Sequence, residues 1–109
     1  MVKQGDIIKI NFDPKEGHEQ AGYRPAVVVS NNFFNSRSPM TIVCPITNTN
    51  NGYPLHVPLT GTTTTGVVLC EQIRSLDLSA RPHKIVEKMP KQLMNRILDI
   101  ISAELTPTE

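Results

Sequence analysis

A small, mainly β domain, built as a strongly bent antiparallel sheet or barrel and capped by a C-terminal helix, is the fold class this chain predicts. Three observations predict it. Short apolar or alternating runs recur at close spacing, separated by Gly, Pro, Asn and Thr turn residues. A long helical periodicity occurs once, after Pro90. The 109 residues contain no internal repeat and no linker-like stretch, so a single domain over residues 1–109 is expected.

The elements follow in order. Ile8, Ile10 and Phe12 share one face of a period-two strand over Ile7–Phe12, entered by the Gly5-Asp6 turn and ended by Asp13-Pro14. A polar loop from Gly17 carries His18, Glu19 and Gln20 and leads through Arg24-Pro25 into the apolar run Ala26–Ser30, read as a buried strand. Pro25 fixes its own φ and biases Arg24 toward extended backbone, so the loop–strand junction is stiff at the guanidinium. Asn31–Ser38 is a polar connection, with a short helical turn to pack Phe33 and Phe34 down. Met40–Ile46 is a third strand, and Pro45 inside it predicts an edge or a bulge, because proline donates nothing to a ladder. Thr47–Gly52 is loop chemistry. Leu55–Leu59 alternates around His56 and Pro58, Thr60–Gly66 is a hairpin connection, and Val67–Ile73 reads as a central strand. Leu76–Lys84 is irregular, and Ile85–Glu87 adds a short strand. Pro90 stands at a first helical position, and Leu93, Met94, Ile97, Leu98, Ile100 and Ile101 recur at helical spacing toward Leu105, before Pro107.

Composition narrows the function classes. Hydrophobic content of 39% argues against a disordered chain, and no apolar run is long enough to span a membrane. The N-terminus lacks a signal peptide's apolar core, so a cytoplasmic location is expected. A net charge of +1 argues against a protein that grips long nucleic acid by phosphate neutralisation alone; nucleic acid would have to be held by a local patch over a short footprint. Cys44 and Cys70 sit in apolar runs without metal-ligand spacing and are expected as buried, reduced thiols. No metal and no cofactor is expected.

The loop before the second strand gathers an acid, an imidazole and a guanidinium, a set suited to handling a phosphate. Taken singly, each has a plainer explanation: His18 as a solvated loop residue, Glu19 as a surface charge, Arg24 as an ion-pair partner of Glu19 or Glu71, Thr47 as a loop cap. Glu71 is harder to explain away, since it interrupts the apolar run VVLC and requires a polar partner or a cleft.

Together, GHEQAGYRPAVVVS from Gly17, Pro45-Ile46-Thr47, Gly52-Tyr53-Pro54, Gly66-Val67-Val68 and the segment Glu71–Asp77 resemble the MazF/PemK/Kid toxin family over nearly the whole chain. The resemblance implies an SH3-like barrel, a homodimer, and a sequence-selective, metal-independent endoribonuclease of a toxin–antitoxin pair. Arg24 and Thr47 match the family's principal catalytic positions, and Glu19 an acidic loop position needed in some relatives. His18 matches a histidine of the Kid- and PemK-like branch, and Glu71 stands where that branch has a catalytic Asp. Leu69 departs from it, since that branch has Arg two residues before the acid. The same resemblance points to Lys15, Gln20, Tyr23, Asn31, Arg37, Asn48, Tyr53, Arg74 and Arg81 as RNA-contacting residues. It also implies an antitoxin whose flexible acidic tail covers the RNA site.

Cleaving RNA without a metal uses the strand's own 2′-hydroxyl as nucleophile. It needs a base at that hydroxyl, an acid at the departing 5′-oxygen and positive charge at the phosphorane. Arg24 suits the last role, being planar, bidentate and permanently charged. Thr47 can donate to a phosphate oxygen, Glu19 or Glu71 can take the 2′-proton, and His18 can protonate the leaving oxygen. Unpaired bases would be read by the loops Asn31–Ser38 and Thr47–Tyr53, with Tyr53, Phe33 or Phe34 as stacking surfaces. Two alternatives remain at this point. A gyrase-poisoning toxin of the CcdB type shares the barrel but acts through a C-terminal Trp, and this chain has no Trp. A non-catalytic SH3-like module needs an aromatic-lined groove, and only Tyr and Phe are present, in small number.

Overall fold

Period two in the first three strands sorts their side chains into two cores, one on each face of the sheet. In the computed structural model, which describes residues 1–13, 17–18, 22–49 and 52–108, β1 is Asp6–Asn11, β2 Tyr23–Val28 and β3 Thr41–Thr47. Ile7, Val27, Val29, Cys44 and Ile46 point to one face and Ile8, Ile10, Ala26, Val28 and Val43 to the other. The first core is covered by the C-terminal helix α2, Lys91–Leu105, through Met94, Ile97 and Ile101. The second is closed by Val2, Phe12, Leu76 and Leu78. Each of these aliphatic side chains contributes roughly 1.5–3 kcal/mol on full burial.

The remaining strands are β4 (His56–Pro58), β5 (Val67–Leu69), β6 (Arg74–Leu76) and β7 (His83–Lys88), with the short helix α1 (Asn32–Arg37) after β2. The strand path runs β4-β5-β3-β2-β1-β7, with β6 also on β3, and every pairing is antiparallel. The mainly antiparallel sheet with a C-terminal helix is therefore the class expected. Pro90 stands one residue earlier than expected, at the helix N-cap, where its carbonyl accepts from Met94 N–H at 3.1 Å.

Five local expectations change. Arg24 and Pro25 lie inside β2 rather than at its entrance, paired with Ile10 and Lys9 of β1; the β2–β3 ladder begins only at Ala26, which leaves the proline outside it. Pro45 is neither at an edge nor in a bulge. It is fully buried in β3 where that strand changes partners, from β2 and β6 to β5, so a missing donor there is tolerated. The strand expected over Val67–Ile73 stops at Leu69 and turns into a 3-10 turn, Cys70–Gln72, so Glu71 is on that turn. Phe33 is not packed down: on α1, capped by the Asn31 side chain accepting from Phe34 N–H at 2.8 Å, it is 68% exposed beneath the Arg37 guanidinium. The stretch expected to be irregular, Leu76–Lys84, holds a second 3-10 turn, Leu78–Ala80, and the start of β7.

Candidate active site

Adjacent strand ends assemble the first part of the site. Ala26 pairs with Pro45, and just past that last pair the neighbouring ends of β2 and β3 carry Arg24, which pairs with Ile10 of β1, and Thr47, which pairs with Val67 of β5. Arg24 is exposed at the start of β2, whereas Thr47 is only 5% exposed. The Thr47 Oγ1 accepts from Thr49 N–H at 3.2 Å, so what the hydroxyl can still give is its hydrogen.

The backbone at Thr47 is fixed by the hairpin loop between β4 and β5. Gly66, at φ +119, comes so close that a Cβ would stand 2.4 Å from the Thr47 carbonyl oxygen and 3.2 Å from Asn48 Oδ1. Only glycine combines that approach with that backbone. The loop is tied twice more. Thr65 Oγ1 donates to Asn48 Oδ1 at 3.0 Å, and Glu87 of β7 accepts from Thr63 N–H, Thr64 N–H and the Thr64 hydroxyl. The Thr64 hydroxyl first, then the two amides, hold the Glu87 carboxyl below the usual carboxylate range. A groove of about 490 Å³ lies here, between Lys9, Pro25 and Asn48 on one side and Thr63–Thr65 on the other.

The second part is a hydrogen-bonded histidine–glutamate pair. His56 Nε2 is 2.8 Å from Glu71 Oε2, with the histidine side chain 5% exposed and the glutamate 32%. A carboxylate only accepts, so Nε2 carries the hydrogen. The other ring nitrogen, Nδ1, is buried and finds no hydrogen-bond partner among the described residues. The Tyr53 ring sits 5.2 Å from the imidazole, tilted by 55°. Facing Glu71 from α2 is Glu104, whose carboxyl is pushed up by burial and then by the Glu71 charge. The thiols here are inert: burial raises Cys44 far above the ordinary thiol range and Cys70 to about 12.

The 3-10 turn links this pair to the first loop, because Gln72 Nε2 donates to the His18 carbonyl oxygen at 3.3 Å. His18 is exposed. Glu19, Lys15 and Gln20 lie outside the described residues. Among the expected RNA contacts, Tyr23 and Tyr53 are 56% and 59% exposed, and Asn48 is exposed beside Thr47. Arg74 stands over the Phe12 ring with 5.7 Å from Cζ to centroid. Arg37 is engaged by Phe33, and Asn31 caps α1. Arg81 donates to the Asn11 and Asp13 carbonyls at 2.7 and 3.1 Å, clamping the end of β1. Among the described residues no group of three or more His, Cys, Asp and Glu side chains could hold a metal ion.

Reading the residues alone missed His56. Its placement between Leu55 and Val57 puts it on the opposite face of the strand, but its partner stands 15 residues on and meets it only through the hairpin register that sets His56 opposite Leu69.

Comparison with known proteins adds a lineage to this geometry. A family model described as the PemK-like, MazF-like toxin of type II toxin–antitoxin systems matches residues 3–105. Endoribonuclease PemK of Escherichia coli is 36% identical over 96% of this chain and 83% of its own length. Endoribonuclease toxin MazF of E. coli K12 is 44% identical over 71% of this chain and 69% of its own. Among solved structures, MazF from Deinococcus radiodurans superposes with a TM-score of 0.88 at 32% identity, covering 95% of this chain and 96% of that one.

Proposed function

This chain belongs to the PemK-like, MazF-like toxins of type II toxin–antitoxin systems, and we propose that its endoribonuclease reaction is a metal-independent cut of single-stranded RNA at short preferred sequences. The observation that carries the proposal is the exposed Arg24 and the buried Thr47 at the neighbouring ends of β2 and β3.

In this reading the 2′-hydroxyl of the RNA attacks the neighbouring phosphorus. Arg24 stabilises the charge that builds on the phosphorane oxygens, and the Thr47 hydroxyl donates to one of them. A carboxylate, Glu19 or Glu71, accepts the 2′-proton, and His18 returns a proton to the 5′-oxygen as it leaves. The products are a 2′,3′-cyclic phosphate and a 5′-hydroxyl, and DNA is inert because it lacks the nucleophile. Tyr53, Tyr23, Asn48, Arg74 and Arg37, together with Lys15, Gln20, Asn31 and Arg81, supply contacts to bases and phosphates. Of these, exposed Tyr53 and Tyr23 are suited to stacking.

The partners follow the same reading. A second copy of the chain completes a homodimer, and a flexible acidic antitoxin tail lies over Arg24 in place of the RNA backbone. No helix among the described residues is long and apolar enough to cross a membrane, and the reaction belongs in the cytoplasm with messenger RNA. The family match favours this reading over a gyrase poison or a peptide-binding module.

Mapping cut sites on a long natural RNA in EDTA, beside Arg24→Ala, tests the proposal. Cutting that persists in EDTA, disappears with Arg24→Ala and leaves an all-deoxy strand intact is the expected result. Sedimentation equilibrium showing only monomer at micromolar concentration would reject the dimer.

A further inference from the structure

We propose that the groove between the β1–β7 face and the β4–β5 loop is a subsite for RNA beyond the cut. It takes one flanking nucleotide, with Lys9 and Lys84 on its phosphate and the Asn48 amide on its base. The inference rests on the endoribonuclease reading above and adds to it two lysines outside the expected RNA contacts.

Three observations carry it. The first is a pair of like charges. Lys84 of β7 stands opposite Lys9 of β1, and Lys9 stands opposite Pro25 of β2, so the three share one face in a row across the sheet. Both lysines are exposed, and neither has an ion-pair partner among the described residues. Like charges directly opposite one another destabilise a sheet. Lys84 has a plain use, since β7 ends the strand path and charge on an edge discourages pairing with another chain. Lys9 has no such use, because β1 lies between β2 and β7. An anion shared by the two ammonium groups accounts for both.

The second is the groove wall. Its volume of about 490 Å³ is in the range of sites that enclose small ligands. The carboxylate that lines it, Glu87, does not answer Lys9. Its Oε1 accepts from Thr63 N–H at 3.0 Å, and its Oε2 from the Thr64 N–H and hydroxyl at 2.7 and 2.6 Å. The acid is spent on the loop, and the lysine charge is left to an incoming phosphate.

The third is the orientation of Asn48. The Thr65 hydroxyl donates to its Oδ1, and Gly66 packs against the same oxygen. The Nδ2 has no partner among the described residues and keeps both hydrogens to give. Guanine and uracil present a carbonyl oxygen where adenine and cytosine present an amino group, so this amide favours the first two. Pro25 follows Arg24 and Asn48 follows Thr47 in the chain, so the groove continues from the pair assigned to the phosphorane.

The test is steady-state cleavage of a single-stranded RNA with one mapped cut site and randomised neighbours. The same RNA is also made with one uncharged methylphosphonate at each flanking linkage in turn. Wild type is compared with Lys9→Gln/Lys84→Gln, Asn48→Ala and Thr65→Val, with melting curves on each. The lysine variant is expected to raise KM about 5- to 20-fold with kcat changed by less than about twofold. Its salt dependence should be shallower by about 0.7 in log–log slope, the share of one single-strand phosphate. A methylphosphonate at one flanking linkage should cost the wild type a similar factor in KM and cost the lysine variant nothing further. Wild type should prefer guanine or uracil at one flanking position by about tenfold. Asn48→Ala should flatten that preference, and Thr65→Val should weaken it by releasing the amide.

Unchanged KM and salt slope in a folded lysine variant overturn the proposal, as do methylphosphonate losses that multiply with the lysine loss at every linkage. Wild-type base preference in Asn48→Ala overturns it too. If the lysine variant cuts RNA like wild type but escapes inhibition by poly-L-glutamate that inhibits the wild type, the groove belongs to an acidic peptide and the proposal is overturned. Arg24→Ala in the same assay separates the two levels. If the wild type cuts RNA and Arg24→Ala does not, while the lysine variant matches wild type, only the subsite falls. If the wild type cuts no RNA, the reading and the subsite fall together.

Discussion

The Arg24–Thr47 couple and the His56–Glu71 couple belong to one sheet, yet they are made in opposite ways. Arg24 and Thr47 come from neighbouring strand ends, and the guanidinium is exposed while the threonine is buried and locked by its own loop. His56 and Glu71 come from either side of a hairpin and bind each other, with the imidazole buried. The first couple presents its charge to solvent, where a phosphate can reach it; the second uses its charge internally. A cationic group serves a transition state best when it is pre-set where charge develops, and a carboxylate serves best when its orientation is fixed. On the proposed reaction, the contrast matches electrostatic stabilisation to one region and proton handling to the other.

The largest effect expected is at the open couple. Arg24→Ala should lower kcat by about 10²–10³-fold with little change in melting temperature, since its side chain is exposed. Arg24→Lys should recover only part, because an ammonium lacks the bidentate fork. Equal losses in rate and stability would erase the distinction between the two couples.

Next comes the support behind Thr47. Gly66→Ala should lose about 2–4 kcal/mol of stability, from a positive φ and a Cβ driven into the Thr47 carbonyl. Urea unfolding measures it, and an unchanged midpoint would mean that the hairpin loop does not fix Thr47. Thr47→Val should then cost roughly tenfold or somewhat more in kcat, the value of a hydrogen bond to a charged oxygen, while Thr47→Ser stays near wild type.

The smallest effects are electrostatic and appear in melting temperature against pH. Glu104 has its folded pKa raised, by burial and then by Glu71, so folding favours its protonated form. Its contribution is complete below the unfolded pKa and is lost as pH rises through the folded one. Glu104→Gln should therefore raise the melting temperature at pH 7 and have no such benefit near pH 3. Glu87 has the opposite sign. Its folded pKa is lowered by Thr64 and Thr63, so its contribution is present above the unfolded pKa and lost as pH falls through the folded one. Glu87→Gln should slightly lower the melting temperature at neutral pH and flatten the acid limb. If both variants shift stability in the same direction at pH 7, the charge assignment around these two loops is wrong.

Residue patterns foretold most elements because burial on a sheet or helix imposes a local period. The alternation of Ile7 to Phe12 and the helical spacing from Leu93 to Ile101 are consequences of which side faces a core. Pro45 was harder to read: proline's rule concerns a missing donor, and whether a donor is needed depends on which strand lies alongside. The early end of β5 escaped for the same reason. The run VVLCEQI satisfies β propensity throughout, and only packing of the turn under α2 decides that the chain bends at Cys70.

The family resemblance brought Thr47 into the candidate set; composition and local order determined the fold class, the loop group His18, Glu19 and Arg24, the need of Glu71 for a polar partner, and the buried state of Cys44 and Cys70. These follow from side-chain chemistry and short-range periodicity, which act over a few residues. Tertiary structure alone decided that Arg24 and Thr47 stand at neighbouring strand ends, that Gly66 presses on the Thr47 carbonyl, and that His56 meets Glu71. Those pairings depend on strand register and on a hairpin closing over ten intervening residues or more, and no local preference encodes a contact between side chains that far apart in the chain.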